Sequence, residues 1–134
     1  MRGQVHYHEI VPTGIEISKE HEANVYQLLY KLNAIRFQSD IPMRITSGYR
    51  TPQHHRNVYQ AKGIPEDKIP WGSMHLIGAA ADIIDPHERL QKWISENITF
   101  IETIDLYFES FSSTPNYVHA QIYPPASRSR FFLP

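Results

Sequence analysis

Ser73-Met74-His75-Leu76-Ile77-Gly78-Ala79-Ala80-Ala81-Asp82 sets a histidine and an aspartate seven positions apart, with a glycine between them. Drawn out as a strand, the pair would stand roughly 23 Å apart on opposite faces. On an unbroken helix they would share a face about 10 Å apart. Neither geometry lets both bind one ion through bonds of about 2 Å. For the two to act together the chain must bend, and Gly78 is the residue best able to bend it. The small apolar residues 79–84 that follow read as a buried strand. Near the far end, Val118, Ala120 and Ile122 alternate with Tyr117, His119 and Gln121, the period of a half-buried strand with His119 on its polar face. Two imidazoles and a carboxylate are the donors a catalytic zinc ion takes, with a fourth position left for water. Taken singly, each of these residues reads more readily as an ordinary polar side chain; taken together they make a candidate metal site.

The rest of the composition narrows the field. A chain of 134 residues fits one domain, read here as 1–134 with a proline-rich tail from about 123. Its 41% hydrophobic and 20% charged residues are those of a globular fold. A formal charge of −1 offers no basic surplus for phosphate, so no nucleic-acid partner is expected. The absence of cysteine removes disulfide scaffolds, Cys-type zinc fingers and thiol nucleophiles together. Met1-Arg2-Gly3-Gln4-Val5-His6-Tyr7-His8 has no apolar run behind its charge, and no stretch is long enough to cross a bilayer. The expectation is synthesis in the cytoplasm without a signal peptide and without a membrane partner.

Ser18 predicts a helix cap, with a helix over 19–36 whose Val25, Leu28, Leu29, Leu32 and Ile35 line one face. Residues 43–47 read as a short strand ending at Gly48. Thr51-Pro52 predicts a cap and first helical position for a helix to about Gln60. Residues 61–72 hold Gly63, Pro65, Pro70 and Gly72 and read as irregular loop. Asp85-Pro86-His87-Glu88 predicts another helix start, capped by Asp85, with Leu90, Trp93 and Ile94 buried. Ile104, Leu106 and Phe108 alternate as a strand, and 124–134 reads as ordered coil. The sum is an α+β fold, a small antiparallel sheet with helices packed to one side.

Ser47-Gly48-Tyr49-Arg50-Thr51-Pro52, the stretch 73–82 and Tyr117-Val118-His119, in that order, resemble the zinc D-alanyl-D-alanine carboxypeptidase family of cell-wall peptidases, whose fold is shared with the hedgehog signalling domain. The resemblance spans roughly 45–121. It implies that His75, Asp82 and His119 hold Zn2+ and that Arg50 points at the substrate carbonyl or carboxylate. The closing Pro124-Pro125-Ala126-Ser127 with Arg130-Phe131 is similar to a phage-encoded subgroup, which would make the chain a lysis or virion-borne enzyme acting on the cell wall, with other virion proteins as further partners. The implied activity is hydrolysis of peptide bonds in peptidoglycan stem peptides, as a D,D-carboxypeptidase or an endopeptidase.

One departure bears on catalysis. Many family members carry a Glu or Asp three positions before the last histidine, as general base, where this chain has Asn116, an amide that takes no proton at neutral pH. Others carry Asp two positions after it, where this chain has Gln121. Glu109 is then the candidate base, or else an exposed strand-end carboxylate; Asp105 is a weaker candidate. Arg50 is either a transition-state contact or a structural ion-pair partner. Ser73 either bonds substrate or orients its loop. Tyr49, Trp71, Tyr107 and Tyr117 either floor a peptide groove or pack as rim. His54 and His55 diverge by about 100° on a helix and so are not expected to bind one ion together; they read as surface or pocket-rim residues, with His55 the nearer to the cleft. The alternative function is a family member without catalysis, serving as a structural or binding part of a virion.

Overall fold

The computed structural model describes residues 3–134. A one-turn helix α1 (Tyr7–Ile10) leads into the long helix α2 (Lys19–Ser39). Ser18 caps α2 by accepting the His21 N–H at 3.1 Å, and Asp40 closes it in the left-handed region at φ 57°. Val25, Leu28, Leu32 and Ile35 are buried as their spacing predicts. The strand β1 (Ile45–Ser47) follows, then α3 (Pro52–Ala61), capped by Thr51 Oγ1 on His54 N–H with Pro52 at the first position.

Two short 3-10 turns, Glu66–Lys68 and Met74–Ile77, lead to β2 (Ala80–Ile84). Helices α4 (Arg89–Glu96) and α5 (Ile98–Ile104) precede β3 (Tyr107–Glu109), β4 (Tyr117–Gln121) and β5 (Phe131–Phe132). Among the described residues no helix is long and apolar enough to cross a membrane.

The sheet runs β1-β2-β4-β3-β5. Its α+β class is the expected one, but the sheet is mixed rather than antiparallel. The pairs β1–β2, β2–β4 and β3–β4 are antiparallel, whereas β5 joins β3 in parallel, Phe108 opposite Phe131. The tail is therefore partly strand and not coil throughout. Its anchor is aromatic: Phe131 stacks on Phe108 and meets Phe111 edge-on.

Two further expectations are corrected. The alternation read as a strand from Ile104 is divided, because α5 claims Ile104 and Asp105 ends that helix in the left-handed region at φ 57°. The helix expected to start after Asp85 starts at Arg89. Asp85 still serves it, accepting the N–H groups of Leu90 at 3.1 Å and Gln91 at 2.9 Å across an intervening turn.

Alternation along the central strands separates two faces. Ala81, Ile83, Val118, Ala120 and Phe108 join the buried apolar residues of α2, α4 and α5 in one core. Asp82, Tyr117 and His119 occupy the opposite face. Not every helix lies on the core side: α3 borders the polar face, where its His55 reaches Arg50.

Candidate metal centre

The β2–β4 ladder makes Asp82 and His119 direct Cα partners, so both side chains rise together from the polar face. His75 arrives from the 3-10 turn Met74–Ile77, which Ser73 caps by accepting the His75 N–H at 3.3 Å. Gly78 then turns the chain into β2 at φ 74°. A Cβ there would lie 2.8 Å from the His21 carbonyl oxygen and from Val25 Cγ2, so glycine is required by both conformation and space. The bend read from the sequence is present, and it brings His75, Asp82 and His119 together with one donor atom from each within 4.8 Å of the others.

Each imidazole has its tautomer set from behind. His75 Nδ1 faces the Gly48 carbonyl at 2.8 Å; a carbonyl only accepts, so Nδ1 carries the hydrogen and Nε2 is turned to the centre. Gln121 fixes His119 in the same manner. Its amide nitrogen donates to the Tyr123 carbonyl at 2.9 Å, so its Oε1 is the atom that accepts from His119 Nε2 at 2.8 Å. His119 therefore turns Nδ1 inward, 2.9 Å from Asp82 Oδ1.

The donor set fits a cation. Burial pushes the His75 pKa down in spite of the Asp82 carboxylate, which keeps the ring neutral. Its Nε2 lone pair then faces Asp82 Oδ2, another acceptor, across 3.4 Å. Two lone pairs so placed repel unless a positive centre joins them. Bonds of about 2.0–2.2 Å at tetrahedral angles put neighbouring donors about 3.4 Å apart, and His75 and Asp82 match that. Burial would raise the Asp82 carboxyl, but the hydrogen bond from His119 outweighs it and holds Asp82 well below the usual carboxylate range. Burial also opposes a charged His119, yet the bond and charge of Asp82 prevail and raise its pKa.

Arg50 joins this group because of an irregularity in β1. Ile45 pairs with Ile83, yet Ser47 pairs with Asp82, so one extra residue bulges from β1 and carries the following turn toward Asp82. Gly48 lets that turn close on α1, since a Cβ would stand 2.5 Å from the Ile10 carbonyl oxygen. Arg50, 8% exposed, donates from Nε to Ser47 Oγ at 3.0 Å and places Nη2 3.7 Å from Asp82 Oδ2.

Glu109 ends β3, next to Phe108, which pairs with Ala120, and it lies near enough to His119 for their charges to interact. Burial raises its pKa; the charges of His119 and Lys62 oppose that rise and Asp82 adds to it. Tyr117 lies half-buried on the same face, its pKa raised by burial and then by the charges of Glu109 and Asp82. Tyr49 packs against His21, with ring centroids 6.0 Å apart, and lines a cavity of about 260 Å³ on the α1 side of its turn with Ile10, Ile15 and Ile45. Trp71 is 41% exposed beneath the Arg56 guanidinium.

The two departures from the expected acids have local causes. Asn116 occupies a turn at φ 65°, a conformation asparagine tolerates better than most residues, and its carbonyl accepts the Asp85 N–H at 2.8 Å. Gln121 stands behind His119, on the side away from Asp82. Asp105 is no neighbour of the centre: it caps α5 and pairs with Arg130 at 3.0 Å.

Sequence reasoning missed the burial of one residue here and the place of another. His55, expected at the surface or the rim of the cleft, is fully buried, with its Nδ1 3.4 Å from Arg50 Nη1 and its Nε2 3.0 Å from the Pro70 carbonyl. Phe132 of β5 meets His119 edge-on at 6.1 Å. The thirteen-residue separation of Phe132 from His119 gave no local signal, since only the parallel pairing of β5 makes them neighbours.

A sequence model of a family described as Peptidase M15 matches residues 6–120, most of the chain and all of the residues of the centre. No curated protein matches the sequence.

Proposed function

The chain belongs to the Peptidase M15 family, and from that premise we propose that it is a zinc-dependent peptidase that hydrolyses peptidoglycan stem peptides, as a D,D-carboxypeptidase or endopeptidase. The observation that carries the reading is the meeting of His75, Asp82 and His119 with one donor atom of each within 4.8 Å of the others, each imidazole set by a hydrogen bond from behind. Zinc held by those atoms supplies a Lewis acid and lowers the pKa of water from about 15.7 toward about 7.

The remaining work falls to the chain. Glu109 takes a proton from the water as its oxygen bonds to the peptide carbonyl carbon, and returns that proton to the amine as the C–N bond breaks. Its raised pKa makes it a stronger base than an ordinary glutamate. Arg50 faces the carbonyl oxygen as negative charge builds there, or the terminal carboxylate of a carboxypeptidase substrate. Tyr117, beside Glu109 and Asp82, donates to the substrate backbone, while Ser73 holds the turn that carries His75. The source we favour is a phage lysis or virion-borne protein, with the wall reached after lysis or from the particle.

A non-catalytic virion component remains the competing reading, and it leaned on the amides at 116 and 121. Both have structural reasons to be amides, as the turn at Asn116 and the bond from His119 to Gln121 indicate. Zymography on purified walls of several bacterial types separates the two readings. Clearing that a chelator abolishes and zinc restores supports the peptidase; no clearing on any wall while zinc stays bound supports the non-catalytic protein.

A further inference from the structure

Arg50 has an unusual set of neighbours for a buried guanidinium. Its Nε donates to a serine hydroxyl, Ser47 Oγ at 3.0 Å. Its Nη1 meets His55 Nδ1 at 3.4 Å. Its ionic neighbour, Asp82 Oδ2, lies further off at 3.7 Å and belongs to the candidate ligand set. A carboxylate at close range would hold the guanidinium but cancel much of its charge. Serine and a neutral imidazole set its direction and leave its charge for a substrate oxygen.

The imidazole is built to be that neutral acceptor. His55 Nε2 faces the Pro70 carbonyl at 3.0 Å, which can only accept, so Nε2 carries the hydrogen and Nδ1 presents its lone pair to Arg50. Burial holds the His55 pKa below its ordinary value in spite of the Pro70 bond, with the charge of Arg50 adding to the effect. The ring itself is walled by Tyr59 edge-on at 4.9 Å and by Trp71 at 5.4 Å, so it cannot swing freely. His55 is the buried residue of a polar helix whose other residues are partly or fully exposed.

We propose that His55 is the positioning residue of Arg50, a neutral acceptor anchored on Pro70 that aims the guanidinium at the substrate oxygen. The proposal rests on the peptidase reading for what Arg50 touches, but the aiming itself is a property of the free protein. It predicts a hierarchy among variants. In His55→Asn the side-chain oxygen falls near the place of Nδ1 and can still accept from Arg50. In His55→Gln the amide reaches toward Pro70 instead, and His55→Phe keeps the ring while removing both nitrogens.

The test has two arms on the full chain. In steady-state hydrolysis of wall peptides, His55→Phe and His55→Gln are expected to lower kcat/KM by about tenfold or more, with zinc content unchanged and His55→Asn close to wild type. In an Arg50→Ala background, His55→Phe should then lower the rate no further, since the two act as one unit. The second arm needs no turnover: nitrogen-15 NMR of the Arg50 guanidinium should show two resolved Nη signals in wild type and His55→Asn, and averaged signals in His55→Phe. Persistence of resolved Nη signals in both His55→Phe and His55→Gln overturns the proposal, as do rate losses that multiply with Arg50→Ala. Should wild type hydrolyse nothing, the peptidase reading fails while the NMR comparison still decides the role of His55. Should His55→Phe not fold, His55→Gln carries the same comparison.

Discussion

His119 gives its Nε2 hydrogen to Oε1 of Gln121 across 2.8 Å, two positions along the same strand. That bond leaves Nδ1 as the nitrogen facing Asp82. Support of this kind behind a histidine ligand is commonly worth about 10–100-fold in metal affinity. Gln121→Leu should therefore weaken zinc binding by about that factor, measured by competition with a chromophoric chelator. An affinity equal to wild type would mean that His119 is held by something other than Gln121.

Glu109 bears the role of base, and its replacement separates chemistry from metal binding. Glu109→Gln should keep zinc and lower kcat by about 10²–10⁴-fold. An unchanged kcat removes Glu109 from the reaction.

The same substitution has a stability signature in the metal-free protein. Burial raises the Glu109 pKa above its value in the unfolded chain, so the folded state binds the proton more tightly. Above the folded pKa the ionised carboxylate destabilises the fold; below the unfolded pKa that penalty is gone. Glu109→Gln should raise Tm at neutral pH, and the gain should shrink as pH falls through the folded value toward the unfolded one. A gain that is constant with pH, or a loss at neutrality, contradicts burial of that carboxylate.

Asn116 tests whether an acid is missing. Its φ of 65° and its exposed place in the turn make it a conformational residue. Asn116→Ala should cost about 1 kcal/mol in chemical denaturation, and Asn116→Gly less. Asn116→Glu should leave kcat where it was. A tenfold or greater gain on introducing glutamate would show that position 116 can serve as base and that its loss had weakened the enzyme.

Gly78 carries His75 to the centre through a conformation that side chains resist. Gly78→Ala should cost about 2 kcal/mol or more, from the positive φ together with contact against His21 and Val25. The expected companion is lower zinc affinity, since the bend moves with the residue. Unaltered stability would mean that the turn has room the structure does not give it.

The candidate ligands were legible partly through the family resemblance of residues 47–52, 73–82 and 117–119 and partly through their spacing. His75 and Asp82 needed a bend, Gly78 offered it, and His119 sat on the polar side of an evident strand. Helices α2 and α3 announced themselves through Ser18, Thr51 and Pro52. The parallel β5 was not legible, because two residues after a proline-rich run have no period of their own and are held by Phe108 and Phe111, remote in sequence. Ile104 and Asp105 misled because alternation over a few residues fits a strand and the last turn of a helix equally well. His55 was hidden for a related reason: its burial comes from Arg50, Pro70 and Trp71 closing over it, a tertiary event with no mark in the local sequence.

Anomalous diffraction at the zinc edge, on crystals of the zinc-loaded protein, tests the central claim most directly. The account predicts one strong peak about 2.0–2.2 Å from His75 Nε2, an Asp82 oxygen and His119 Nδ1. A folded, zinc-treated protein with no peak between those three residues, or with its zinc bound elsewhere, would contradict it.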